Sequence, residues 1–183
     1  FVAGALIVQQ QLDFLRTADL GFDRAATVAV PLGGWDGQTF ARVRAELGDI
    51  PGVLGIASMS SLPGGRHGGY SATWPGREGD DLMLRASVAS ADAVDALGLR
   101  IVAGTALPAV AAADSVGAFR FVVNEEVARI VAGSNEAAIG HPFLMNGREG
   151  EIAGVVEDFH YASLHEAVGP FALFSEAQPY YST

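Results

Sequence analysis

An α+β fold is predicted by three features of the sequence. Short strand-like apolar runs alternate with helical segments along the chain. Half of the 183 residues are hydrophobic and only 17% are charged, which excludes a disordered or low-complexity chain. No internal repeat of fixed period is visible, so we expect one domain, or two small lobes that share a core.

The first twenty residues predict a helix whose character changes along its length. Residues 1–8 are apolar on every side, and from Gln9 onward apolar residues recur at spacings of three and four. This change is typical of a helix that leaves a membrane, although an N-terminal core helix fits the pattern equally well. No run reaches the roughly 18–20 apolar residues that span a bilayer. Because the sequence begins at Phe1, we expect it to be part of a longer protein.

A β-α-β unit is predicted next. Residues 27–32 form its first strand, Asp36 caps its helix, and residues 53–59 form its second strand. The remaining elements are predicted from apolar runs and turn residues. They are strands at 82–88, 99–102 and 119–123, helices at 92–97 and 125–132, and a hairpin of 143–145 with 151–156 across Asn146-Gly147. Asn124 is the predicted N-cap of the helix at 125–132, and the carboxylates of Glu125 and Glu126 suit the positive end of that helix.

The stretch 62–81 contains six glycines and two prolines and predicts a loose surface segment with a strand-like piece around residues 70–74. Backbone amides of such loops can bind anions, and aromatic or cationic side chains on loops are common binding devices. Arg66, His67, Trp74 and Arg77 are therefore the candidate contacts for a ligand or partner. The stretch matches neither the phosphate-loop nor the dinucleotide-binding pattern, and burial of the Trp in the core is the structural alternative.

A second polar cluster lies between residues 157 and 166. Asp158, His160 and His165, with neighbouring glutamates, could ligate a metal or supply a general acid and base. The two histidines are five positions apart, which does not place them on one helix face, and no HExxH motif is present. We therefore favour a structural role for the cluster and keep a metal-dependent hydrolase as an alternative.

Several classes of function are excluded by what the chain lacks. It contains no Cys, and all eleven basic residues are Arg, so thiolate, Schiff-base and phosphate-loop lysine chemistry are absent. A net charge of −10 repels phosphate backbones, so no nucleic-acid partner is expected. No GxSxG motif is present. We predict no catalytic residue, cofactor or metal, and we expect any linked ATP hydrolysis on another chain or domain.

Five segments, taken in order, resemble the extracytoplasmic domain of MacB/FtsX-type ABC transporter permeases. They are QQQLDFLRTADLGFD at 9–23, ALGLRIVAGTAL at 96–107, FVVNEEVARI at 121–130, AIGHPF at 138–143 and EIAGVVEDFHYASLHEAVGPFALF at 151–174, with a shorter match, IPGV, at 50–53. The resemblance covers about residues 7–175. The stretches 62–81 and 106–118 match nothing in particular in that family.

The resemblance implies a MacB-like periplasmic core domain of two lobes. Residues 1–24 would be a stalk helix leaving the membrane, residues 25–175 the core domain, and residues 176–183 a return towards the next membrane helix. Within the core, one lobe would comprise about residues 25–90 with the C-terminal strand region, and the inserted mixed lobe about residues 91–155.

The resemblance also implies a function without enzymatic activity of its own. The domain, on the extracytoplasmic side of the plasma membrane, would transmit ATP-driven motion to a substrate or partner protein. Expected partners are a cytoplasmic ABC ATPase, a second permease subunit and a periplasmic or outer-membrane protein. Leu12, Leu15 and Phe22 are expected to couple the stalk to the domain. An extracytoplasmic module that binds or senses peptides or small hydrophobic molecules is the alternative.

Overall fold

A computed structural model describes residues 9, 19–23, 27–31, 37–77, 79–109, 119–164 and 166–175. Most of the predicted stalk, including Leu12 and Leu15, and the return segment 176–183 lie outside these ranges. Among the described helices, none combines the length and the apolar character that crossing a bilayer requires.

Within these ranges the protein combines short helices with a seven-stranded sheet, which confirms the predicted α+β class. In chain order the elements are α1 (Gly37–Gly48), β1 (Gly68–Thr73), β2 (Leu82–Val88), α2 (Ala93–Ala96), β3 (Ile101–Gly104), β4 (Phe119–Asn124), α3 (Glu125–Ala132), α4 (Asn135–Ala138), β5 (Pro142–Met145), β6 (Arg148–Val156) and β7 (Phe171–Phe174).

The strands lie in the order β3-β6-β4-β7-β2-β1-β5. The pairs β4–β6 and β2–β7 are parallel, whereas the other neighbours are antiparallel. Strand β5 also pairs with β6, so the sheet curls back on itself. The turn between them is the predicted one, with Asn146 and Gly147 at φ 46° and 78°. The backbone N–H of Ser71 donates to Asn146 Oδ1 at 2.8 Å, which ties this turn to β1.

The central strands β4 and β7 are buried on both faces. In β7, Ala172 and Phe174 pack into a core cluster with α3 and α4, while Phe171 and Leu173 pack into a second cluster with α2 and residues 157–161. This alternation follows from the two-residue period of a strand. The second cluster contains motif residues from distant parts of the chain, namely Leu97, Leu99, Phe159 and Tyr161.

The predicted β-α-β unit is only partly formed. Its helix is present as α1, but residues 27–31 and 53–58 form no strand within the described chain, and of the second predicted strand only Met59 pairs, in an isolated antiparallel bridge with Ala89. Val28 is 87% exposed and Leu54 is 98% exposed, so these apolar residues do not pack into the core. The prediction of two strands was wrong because an apolar run becomes a strand only where a neighbour accepts its backbone hydrogen bonds. The two-lobe division stays a prediction.

Candidate functional site

Segments that carry the sequence motifs lie beside one another although they are far apart in the chain. The backbone N–H of His160 donates to the carbonyl of Leu20 at 2.9 Å, and the N–H of Asp23 donates to the carbonyl of Leu97 at 2.8 Å. Residues 19–23, here termed the docking segment, therefore hold two later segments at once.

Close packing at Gly21 makes this contact tight. Gly21 has φ +76°, and a Cβ added there would lie 2.8 Å from the Cβ of Phe159. Phe22, the described member of the predicted coupling set, is half-buried against the second core cluster. Gly98 faces the segment from the other side, since a Cβ there would lie 3.2 Å from the Cβ of Asp23. Only glycine fits a left-handed backbone with so little space.

Asn124, at the end of β4, joins three parts of the structure. Its side chain is fully buried. Its Oδ1 accepts from the backbone N–H groups of Phe171 at 2.9 Å and Val127 at 3.3 Å. Its Nδ2 donates to Asp158 Oδ1 at 2.8 Å and to the carbonyl of Gly169 at 2.9 Å. The amide thus uses both donors and both lone-pair positions of its oxygen, and its predicted role as the cap of α3 is confirmed.

Asp158 continues this network towards α3. Its Oδ1 also accepts from the backbone N–H of Glu126 at 3.2 Å, and its own N–H donates to Glu125 Oε2 at 3.3 Å. Burial raises the pKa of Asp158 above its ordinary value, and the nearby charges of Glu125 and Glu126 act in the same direction. The hydrogen bonds from the Glu126 N–H and from Asn124 only partly oppose this rise. The ionised carboxylate is therefore a local source of instability.

Replacing Asp158 by Asn should make the protein relatively more stable as pH rises. A carboxyl group whose folded pKa is raised stabilises the fold at low pH, and that contribution is lost as pH rises through the folded pKa. The amide oxygen of Asp158→Asn can still accept the bonds from Asn124 and Glu126 without the charge. Urea unfolding from pH 4 to pH 7 measures the difference between variant and wild type. A difference that is constant with pH would contradict this account.

Two further motif glycines explain how β3 lies on β6. Gly104 pairs with Gly154 in the register of these strands. A Cβ on Gly104 would overlap the carbonyl oxygen of Ala153, and a Cβ on Gly154 would overlap that of Thr105. The N–H of Thr105 donates to the carbonyl of Ala153 at 2.9 Å. The glycines thus allow a close backbone approach that side chains would prevent.

The predicted ligand contacts are divided between the two ends of β1. Trp74 is buried, with its ring stacked 6.5 Å from that of Phe143, and the Arg77 guanidinium lies 5.1 Å from the Trp74 ring centre. Arg66 is exposed and His67 is half-buried at the other end, about 20 Å away along a six-residue strand. The structure does not gather the four residues into one pocket, and their role as contacts stays a prediction.

An open, polar groove lies beside the Asn124–Asp158 network. Its lining residues are Glu125, Arg129, Gly133, Ser134, Asn135, Glu136 and Asp158. Pockets for small hydrophobic ligands are enclosed and mostly apolar, which this groove is not. Among the described residues, no group of three or more His, Asp or Glu is placed to hold a metal, and His165 lies outside them. The ligand-binding and hydrolase alternatives gain no support from this geometry.

Comparison with known proteins gives matches among solved structures. No family model and no curated protein matches the chain. The extracellular domain of the noncanonic ABC-type transporter YknZ from Gram-positive bacteria has 10% identity and a TM-score of 0.49, over 78% of this chain and 63% of that one. The periplasmic region of MacB from Actinobacillus actinomycetemcomitans has 12% identity and a TM-score of 0.48, over 80% of this chain and 57% of that one.

The chain spans about three fifths of the length of these two structures. One of them is the extracellular domain of an ABC-type transporter, and the other is the periplasmic region of the protein after which the predicted family is named.

Proposed function

We propose that this chain is the extracytoplasmic domain of an ABC transporter permease and that it transmits ATP-driven motion to a substrate or partner outside the membrane. The docking segment is the observation that supports this most. It follows the predicted stalk directly, and it is held by backbone bonds to Leu97 and His160 and by the packing of Phe22 and Gly21. A displacement that reaches the segment is passed on because close-packed elements move together.

The route onward runs through Asp158 and Asn124. Residues 157–161 receive the docking segment at His160 and Phe159. Asp158, in the same segment, bonds to Asn124, which in turn bonds to α3 and to the first residue of β7. Each step is a hydrogen bond or a close packing contact, and the bond between Asn124 and Asp158 joins two side chains. The proposal therefore treats the sheet and the docking segment as one body.

The expected assembly follows from the same proposal. ATP hydrolysis takes place on an ABC ATPase subunit or domain, since this chain has no lysine for a phosphate loop. A second permease subunit and a periplasmic or outer-membrane protein complete the assembly. The domain lies on the extracytoplasmic side of the plasma membrane and forms or breaks no covalent bonds itself.

Replacing Gly21 by Val should uncouple ATP hydrolysis from transport in the full-length permease. The new side chain would meet Phe159 and the carbonyl of Asp158, and its backbone would be strained at φ +76°. We expect ATP hydrolysis by the assembled transporter to continue, while transport of its substrate falls to the level measured without the transporter. Gly48→Val is a control, because nothing lies within 4 Å of a Cβ at Gly48.

A cross-link tests the same contact by fixing it covalently, whereas Gly21→Val disrupts it. The chain has no Cys, so Leu20→Cys with His160→Cys creates a single pair, at positions joined by a 2.9 Å backbone bond. If the docking segment moves with the domain, the disulfide should form and transport should survive. Loss of transport on oxidation and its return on reduction would contradict a fixed docking segment. Normal transport by Gly21→Val would contradict the coupling role.

A further inference from the structure

His67 lies at the end of the glycine-rich stretch, on top of an aromatic cluster. Its ring centre is 5.6 Å from that of Tyr161 and 5.1 Å from that of Phe171, and both contacts are edge-on at 90°. The N–H of Gly64 donates to the carbonyl of Tyr161 at 2.8 Å. Among the described contacts, the Gly64 backbone bond and the imidazole ring hold residues 62–67 on the cluster, and Arg85 Nη1 also donates to the His67 carbonyl at 3.2 Å.

The imidazole is placed where a charge is costly. Both ring nitrogens are buried, and within the described part of the chain neither makes a hydrogen bond. Burial is the main cause that lowers the pKa of His67 below its ordinary value of 6.5. The carbonyls of Tyr161 and Leu62 act in the opposite direction, and the charge of Arg85 lowers the pKa further. Burial outweighs the favourable effect of these carbonyls, so the closed arrangement favours the neutral imidazole over the charged one.

The charged groups around His67 come from three elements. From β2, Arg85 Nη1 donates to the His67 carbonyl at 3.2 Å, so the nearest charge is positive. In the segment that carries Tyr161, burial raises the pKa of that phenol, Arg85 opposes the rise, and the carboxylates of Glu166 and Asp158 add to it, so Tyr161 is neutral. From its own stretch, Arg66 is exposed to solvent. None of these groups forms an ion pair with the imidazole among the described contacts.

We propose that His67 is a proton-operated latch: when its imidazole takes up a proton, residues 62–67 detach and uncover the rings of Tyr161 and Phe171. The detached imidazole is hydrated and binds a proton more readily than the buried one. The closed state is therefore fully stable above about pH 6.5 and loses stability as pH falls below that value. This inference concerns the isolated domain and does not depend on the proposed transport function.

Amide hydrogen exchange in the 183-residue chain tests the latch. The Gly64 N–H reports the closed state because its acceptor is Tyr161. Its protection factor, corrected for the intrinsic pH dependence of exchange, should fall between pH 7.5 and pH 5, with a limiting slope of about tenfold per pH unit for one proton. The Gly133 N–H, bonded to the carbonyl of Arg129 at the end of α3, is an internal control and should not change in parallel.

Two variants separate His67 from the other titrating groups. His67→Phe keeps an aromatic ring and has no proton to gain, so its Gly64 protection should not depend on pH. His141→Gln removes a histidine outside the cluster and should behave as the wild type. Equal falls in wild type and His67→Phe, or no fall in the wild type, would overturn the proposal. If His67→Phe does not fold, an NMR titration of His67 decides, and a midpoint at or above pH 6.5 would overturn it as well.

Discussion

Replacing Gly154 by Ala should lower the free energy of unfolding by about 3 kcal/mol or more, since forced overpacking against backbone has no easy relief. The added methyl group would overlap the carbonyl oxygen of Thr105 and lie 3.2 Å from its backbone nitrogen. Relief requires β3 to move away from β6, which breaks the bond between the Thr105 N–H and the carbonyl of Ala153. Urea unfolding of the 183-residue chain measures the loss.

Gly48→Ala is the matched control for this prediction. Gly48 ends α1, and nothing lies within 4 Å of a Cβ added there. The same substitution should change the free energy of unfolding by no more than about 0.5 kcal/mol. If the two variants lost stability equally, the close contact between β3 and β6 would not be the cause.

Replacing Asn124 by Ala should cost about 3 kcal/mol, because several buried groups lose their partners at once. The N–H groups of Val127 and Phe171 lose their acceptor, and Asp158 and the carbonyl of Gly169 lose their donor. The cavity is closed to solvent, since Asn124 has no exposed surface. Thermal and urea unfolding at neutral pH measure the change.

Two other substitutions sharpen this test. Asn135→Ala removes a half-buried amide that donates to Glu125 Oε1 at 2.9 Å, and it should cost about 1 kcal/mol or less. Asn124→Asp keeps acceptor oxygens but places a carboxylate against Asp158, so it should be at least as harmful as Asn124→Ala near neutral pH. It should recover as pH falls. A loss at Asn124 no larger than that at Asn135 would contradict the network described above.

Elements fixed by local chemistry were predicted correctly from the sequence. The helix of α1 has its apolar residues at helical spacing, Asn124 precedes two glutamates as a helix cap does, and Asn146-Gly147 is a favoured hairpin turn. Each signal lies within a few residues, so neither the tertiary fold nor a partner is needed to interpret it.

Elements that depend on distant partners were not predictable in the same way. The strand at Gly68–Thr73 begins with two glycines, and the sequence indicated only a strand-like piece around residues 70–74; pairing with β2 extends the strand back through the glycines, and pairing with β5 adds a second neighbour. Conversely, residues 27–31 look like a strand and have no partner in the described chain. Strand formation reflects what lies alongside more than an intrinsic preference of the segment.

The candidate site shows the same division. The order of the motifs indicated which segments matter, but nothing local showed that Leu20 meets His160 or that Asn124 meets Asp158. A weak signal was available at the glycines, since Gly21, Gly104 and Gly154 stand in motif segments without being obvious turns. Glycines of this kind mark close backbone approach, although the sequence does not identify the neighbour.

The position of β7 between β4 and β2 affects how the domain is made. It is the last of the described strands to be synthesised, yet both of its neighbours precede it. Until it emerges, β4 and β2 each lack a partner on one side, and Phe121 and Leu84 have no Phe174 to complete their cluster. During synthesis from the N-terminus, the edges of β2 and β4 that pair with β7 therefore stay unpaired, and prone to association with other strands, until residues 171–174 have been made.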